Sequence, residues 1–174
     1  GIALGVSASL VGHWLGFASG VFLLLVTYFY SRSLLPQEMK WLALAAPMLL
    51  YASNSFVCWT ISGLETPLFA AWVTAAVAAF AIRRMGWVLV FCILASLTRP
   101  EGALLAALLL GFDWLAQLIA QRPKRLTELL RLSLPCLAYA LFIAGLTAFR
   151  VVYYGDVLPN TFYAKTGGIP LSYG

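Results

Sequence analysis

Six charged residues stand at the polar interruptions of an otherwise apolar chain: the acids Glu65, Glu101 and Asp156 and the cations Arg99, Arg150 and Lys165. Five of them fall in three short segments: Ser62-Gly63-Leu64-Glu65-Thr66, Thr98-Arg99-Pro100-Glu101-Gly102, and the longer run Tyr153 to Lys165, YYGDVLPNTFYAK. A site with both signs of charge suits a ligand that carries a phosphate and hydroxyl groups. The planar fork of an arginine holds phosphate well. A carboxylate accepts from hydroxyls, or removes a hydroxyl proton as a general base. Tyr153, Tyr154, Phe162 and Tyr163 could stack on a sugar face or line a lipid groove. Each of them alone reads equally as part of an interfacial aromatic belt.

Structural roles compete for the same acids. Glu65 precedes Pro67, and Glu101 follows Pro100, so both stand where a helix begins and where an acid complements the dipole. Asp113, in Gly111-Phe112-Asp113-Trp114, lies inside an apolar run. An acid there is either functional or an interfacial residue paired with Arg122 or Lys124. His13 is the only histidine, and Cys58, Cys92 and Cys136 stand singly in apolar sequence, so no metal-ligand spacing is present. The chain has no GxSxG, Walker A or dinucleotide glycine pattern.

The elements that position these residues follow from composition. Of the 174 residues, 63% are hydrophobic and only 10% charged, and mean hydropathy is +0.93. Soluble domains carry about a quarter charged residues, so the chain reads as an all-α polytopic integral membrane protein. A spanning helix needs about 20 apolar residues. Six runs qualify: one within Ile2–Tyr30, then Trp41–Thr60, Pro67–Ile82, Met85–Leu97, Ala103–Ala120 and Leu132–Phe149. Gly12, Gly16 and Gly20 recur every fourth residue, which lets a neighbouring helix come close. Pro47 and Ser53-Asn54-Ser55 interrupt the second run. No internal repeat is evident. The chain opens at Gly1 and ends in Gly-Gly-Ile-Pro-Leu-Ser-Tyr-Gly, so it reads as one transmembrane domain, residues 1–174, cut at both ends.

The net charge of +5 could suggest nucleic acid, but the cations sit in short loops between apolar runs. Arg32, Lys40, Arg83, Arg84, Arg122, Lys124, Arg125 and Arg131, eight of the eleven, follow runs one, three and five. The positive-inside rule makes those loops cytoplasmic and puts all three polar segments outside. Run four has 13 apolar residues, about 20 Å of helix against a hydrocarbon core of about 30 Å. Arg99 and Glu101 then lie either in a protected depression or simply paired at a thinned interface.

SGLETPLFA (62–70), LTRPEGALL (97–105) and YYGDVLPNTFYAK (153–165) resemble, in order and spacing, motifs of bacterial GT-C-type membrane glycosyltransferases. The nearest group is the terminal arabinofuranosyltransferases of mycobacterial cell-wall arabinan, and a related group is described as flagellar motor control proteins. The resemblance spans about residues 41–168. It implies a GT-C-like bundle in the bacterial cytoplasmic membrane with its motif loops facing the periplasm. It also implies an inverting transferase that moves a sugar, arabinofuranose by nearest relative, from a polyprenyl-phosphate donor to an envelope glycan. Such enzymes work with or without a divalent metal, and no protein-bound cofactor is implied. By motif position Glu65, Arg99, Glu101, Tyr154, Asp156, Asn160 and Lys165 would line the substrate site. Members of this class carry a catalytic acid in the first outer loop, yet no acid precedes Glu38, which the charge pattern makes cytoplasmic. The general base is therefore expected upstream of Gly1, with Asp156 a weak candidate within the chain. The isolated 174 residues are expected to be inactive. Two other readings stand beside the transferase: a non-catalytic protein of the same fold acting in motility or envelope assembly, and a transporter of lipid-linked sugars.

Overall fold

The computed structural model describes residues 8–62, 65–122 and 125–155. Every regular element among them is helical: α1 (Ala8–Leu34), a 3-10 helix (Gln37–Leu44), α2 (Ala45–Ala52), α3 (Asn54–Ile61), α4 (Thr66–Ala81), α5 (Met85–Thr98), α6 (Gly102–Gln121) and α7 (Leu126–Tyr154). The chain divides into two units, Gly1–Leu115 and Ala116–Gly174.

In the first unit α1 packs along the 3-10 helix, α2, α3 and α4, and α4 pairs with α5. Small residues make these contacts close. Ala71, Ala75 and Ala79, four apart on α4, are buried, as are Val88, Cys92 and Ala95 on α5. With no hydrophobic drive between helices in lipid, close backbone approach of this kind supplies the packing energy. Gly20 of α1 meets α3: a Cβ there would come within 2.6 Å of Thr60 Cγ2. The expected role of the glycine stripe is thus realised at Gly20. Leu23, Phe56 and Ala71 form a buried cluster where α1, α3 and α4 meet. An aromatic chain runs beside it, Phe22 to Trp72 at 5.3 Å, Trp72 to Phe91 at 6.0 Å and Phe91 to Trp87 at 5.7 Å between centroids.

Hydroxyls inside the helices turn back on their own backbone. Ser19, Thr27, Thr60, Thr74 and Ser96 each donate to the carbonyl four residues earlier, at 2.6–2.9 Å. This satisfies the side chain where no water is at hand. Large apolar side chains point outward: on α6 Leu104, Leu108, Phe112, Leu115 and Ile119 are all at least half exposed. An apolar stripe of that extent marks a surface meant for lipid or protein.

Three helices are long and apolar enough to cross a membrane, Leu10–Leu34, Gly102–Gln121 and Leu126–Tyr153. A fourth pass exists if the pair Gln37–Ala52 and Asn54–Ile61, bent by 67°, is one broken span. Helix length therefore does not show six spans. The second expected run is split at Ser53, whose backbone is extended (φ −72°, ψ 120°). Pro47 does not cause the break; it is buried within the first turn of α2, where its missing N–H costs nothing. The third and fourth runs form helices of 16 and 14 residues, about 24 and 21 Å long. Described by itself, α7 extends beyond the predicted Leu132–Phe149 at both ends and carries Pro135 within it. It stops at Gly155, in the left-handed conformation (φ 75°) that glycine adopts freely.

Candidate functional site

The SGLET and TRPEG segments meet through Arg99. Its Nη2 donates to Thr66 Oγ1 at 3.1 Å. Its Nε lies 3.4 Å from Glu65 Oε1. Its guanidinium carbon stands 5.8 Å from the Phe69 ring centroid. Three residues from the start of α4 thus hold one arginine from the end of α5.

Local sequence explains how Arg99 is presented. Pro100 disfavours helical backbone at the residue before it, and Arg99 is extended (φ −145°, ψ 144°) directly after the last turn of α5. The Arg99 N–H still donates to Ala95 O at 2.9 Å, so the helix closes normally before the side chain swings toward α4. The turn then tightens, with Gly102 donating to Arg99 O and Ala103 to Pro100 O, both at 3.0 Å. Gly102 is obligatory here because a Cβ would run into the backbone of Ala95 and Ser96. Pro100 and Gly102 therefore each have a physical task in aiming Arg99. Glu101 stands exposed immediately before α6 and its carbonyl accepts from Leu104 at 3.1 Å.

Glu65 occupies the N-cap position of α4, but no side-chain capping bond is made. Its backbone carbonyl accepts from Phe69 at 2.9 Å while the carboxylate turns to Arg99, so the acid stands at the helix start, as expected, without capping it. The Arg99 side chain is 28% exposed and Glu65 59% exposed. The arginine is oriented by its neighbours yet still reachable. A guanidinium has five donors, so capacity remains for an incoming anion.

Of the residues expected at the site, Glu65 and Arg99 are in contact, and Glu101 lies two residues from Arg99 in the same turn. Tyr154 ends α7. Asp156, Asn160 and Lys165 lie outside the described residues. Thr66 and Phe69 were not singled out beforehand, although both belong to the SGLETPLFA segment and their one- and four-residue spacing from Glu65 was available as a signal.

A second ion pair was also not foreseen. Asp113 is buried, and its Oδ1 accepts from Arg83 Nη1 at 2.8 Å. The sequence offers Arg122 or Lys124 as partners, of which Lys124 lies outside the described residues; the ion pair seen is with Arg83, thirty positions upstream. Arg83 sits in the α4–α5 turn with φ 58°. The Arg84 N–H donates to Ala79 O at 2.9 Å and the Arg83 N–H to Phe80 O at 3.0 Å. That is the Schellman pattern, with an arginine where glycine is usual. No group of three His, Cys, Asp or Glu side chains that could hold a metal occurs among the described residues. Comparison with protein-family models, with curated proteins and with solved structures finds no match to this chain.

Proposed function

We propose that this chain is the membrane domain of a GT-C-type glycosyltransferase that transfers a sugar from a polyprenyl-phosphate donor to a cell-envelope glycan. The observation that carries the reading is the Arg99 cluster. A partly exposed guanidinium, held by Glu65, Thr66 and Phe69 at one end of the α4–α5 pair, suits the phosphate of a lipid-linked donor. Glu65 and Glu101, both exposed beside it, are placed to accept from sugar hydroxyls. In this reading Arg99 stabilises the departing lipid phosphate as negative charge develops on it. By the resemblance, Tyr154, Asp156, Asn160 and Lys165 of the third motif also act on the substrate, and the weak candidate for the base is Asp156.

The proposed topology has six passes in a bacterial cytoplasmic membrane, with α2–α3 as one broken pass and α4 and α5 as two short ones. The α4–α5 hairpin contributes two crossings or none, so the orientation of α6 and α7 is the same either way. With cytoplasmic Arg83, Arg84, Arg122, Lys124 and Arg125, the Arg99 cluster faces the periplasm.

The test is binding of an undecorated polyprenyl phosphate to the purified chain in nanodiscs. The wild type should bind, Arg99→Ala about tenfold more weakly, and Arg99→Lys in between, since lysine keeps the charge but not the fork. Equal binding by wild type and Arg99→Ala would refute the assigned role of Arg99.

A further inference from the structure

An apolar groove of about 310 Å³ opens between α1, α4 and α5, lined by Phe22, Val26, Ala78, Ile82, Trp87 and Phe91 among others. Trp87 also lines a second cavity with Arg83, Arg84, Met85 and Gly86, at the turn between α4 and α5. A largely apolar slot, edged by Tyr30 and Ser33, and a cavity edged by two arginines thus share Trp87. Asp113 neutralises part of that charge through Arg83, whose side chain nonetheless remains 72% exposed. Arg84 is exposed and forms no ion pair among the described residues. The tip therefore carries a net positive charge of one.

Its depth matters. The two hairpin helices are about 24 and 21 Å long. If the Arg99 end lies at one interface of a core of about 30 Å, the arginine tip lies about 6–9 Å inside the other. Bare cations at that depth are costly and recruit a partner. The geometry points to a binding site for one anionic phospholipid, its phosphate on Arg84 and the outer edge of Arg83 and an acyl chain in the groove beside Phe22, Ala78 and Phe91. Charge complementarity selects this occupant over a zwitterionic lipid, as basic pockets between helices do elsewhere on the cytoplasmic side. Asp113 has a clear part in this: it fixes Arg83 at the tip while leaving Arg84 to the headgroup. The inference rests on the membrane reading and not on transferase activity, because the tip lies at the opposite end of the hairpin from Arg99.

The experiment is native mass spectrometry of the chain in detergent with added phosphatidylglycerol, phosphatidylcholine or inorganic phosphate. One bound phosphatidylglycerol should be retained about fivefold better than phosphatidylcholine, the preference that one cation gives at a lipid surface. Arg84→Gln, which breaks no ion pair, should abolish the preference. Ala78→Phe, which fills the groove, should lower retention of both lipids. Equal retention of the two lipids by the wild type, or an unchanged preference in Arg84→Gln, overturns the proposal. So does displacement of phosphatidylglycerol by inorganic phosphate together with no effect of Ala78→Phe, which would assign the site to a free anion. Failure of the membrane reading is separately visible, as protein released from membranes by alkaline carbonate.

Discussion

The Arg83–Asp113 pair is asymmetric, and that asymmetry gives a prediction with a sign. The Asp113 side chain is 5% exposed and that of Arg83 72%. Removing one partner of a fully buried pair costs about 3–5 kcal/mol, because the other charge is left without compensation. Arg83→Gln strands the buried carboxylate. With Asp113 keeping its further contacts and the arginine mostly exposed, the cost should be about 2 kcal/mol. Asp113→Asn leaves Arg83, whose side chain is 72% exposed, to the proposed lipid phosphate, so the cost should stay near that of a surface pair, about 0.5–1 kcal/mol. The double variant should match Asp113→Asn alone. Backbone strain separates cleanly: Arg83 sits at φ 58°, where glycine is favoured by about 1 kcal/mol. Arg83→Gly should therefore lose only about half as much as Arg83→Gln. Thermal unfolding in detergent reads these differences as shifts of about 2–4 °C per kcal/mol. An Asp113→Asn loss equal to or larger than that of Arg83→Gln, or additive losses in the double variant, would refute the reasoning.

Gly102→Ala puts a methyl group into the backbone of Ala95 and Ser96, which has no flexible end to yield, and should cost about 2–3 kcal/mol and loosen Arg99 with it; a Tm within 1–2 °C of wild type would contradict the packing. Gly20→Ala meets the Thr60 side chain, itself tied to Phe56 O at 2.7 Å, and should cost about 1–2 kcal/mol in the same assay.

Much of the scaffold was legible because apolar runs and their interruptions are direct consequences of the bilayer. Runs three, four and five begin and end within one or two residues of α4, α5 and α6. The Arg-Pro-Glu-Gly turn was readable as a helix boundary, since Pro and Gly act on the backbone locally. What escaped depends on neighbours in space. Ser53-Asn54-Ser55 marks a weak point in the second run, but not the 67° bend there or the contact that both α2 and α3 make with α1. Arg83 and Arg84 marked a turn correctly, yet charge placement counts turns and helix length counts crossings, and the two disagree for this hairpin. The partners of Arg99 and Asp113 lie 33 and 30 residues away in sequence, a distance over which no periodicity informs. The first turn of the third motif, Tyr153-Tyr154-Gly155, is helix and its cap rather than loop.

The transferase reading meets its most direct test in living cells. Envelope glycans would be compared between cells with the encoding gene intact, deleted, or restored as wild type, Arg99→Ala or Lys165→Ala. The account predicts that deletion and both variants lose one glycosyl addition and accumulate the polyprenyl-phosphate sugar, with wild type restoring both. Unchanged glycans in the deletion, with a defect in motility or envelope assembly instead, would contradict it.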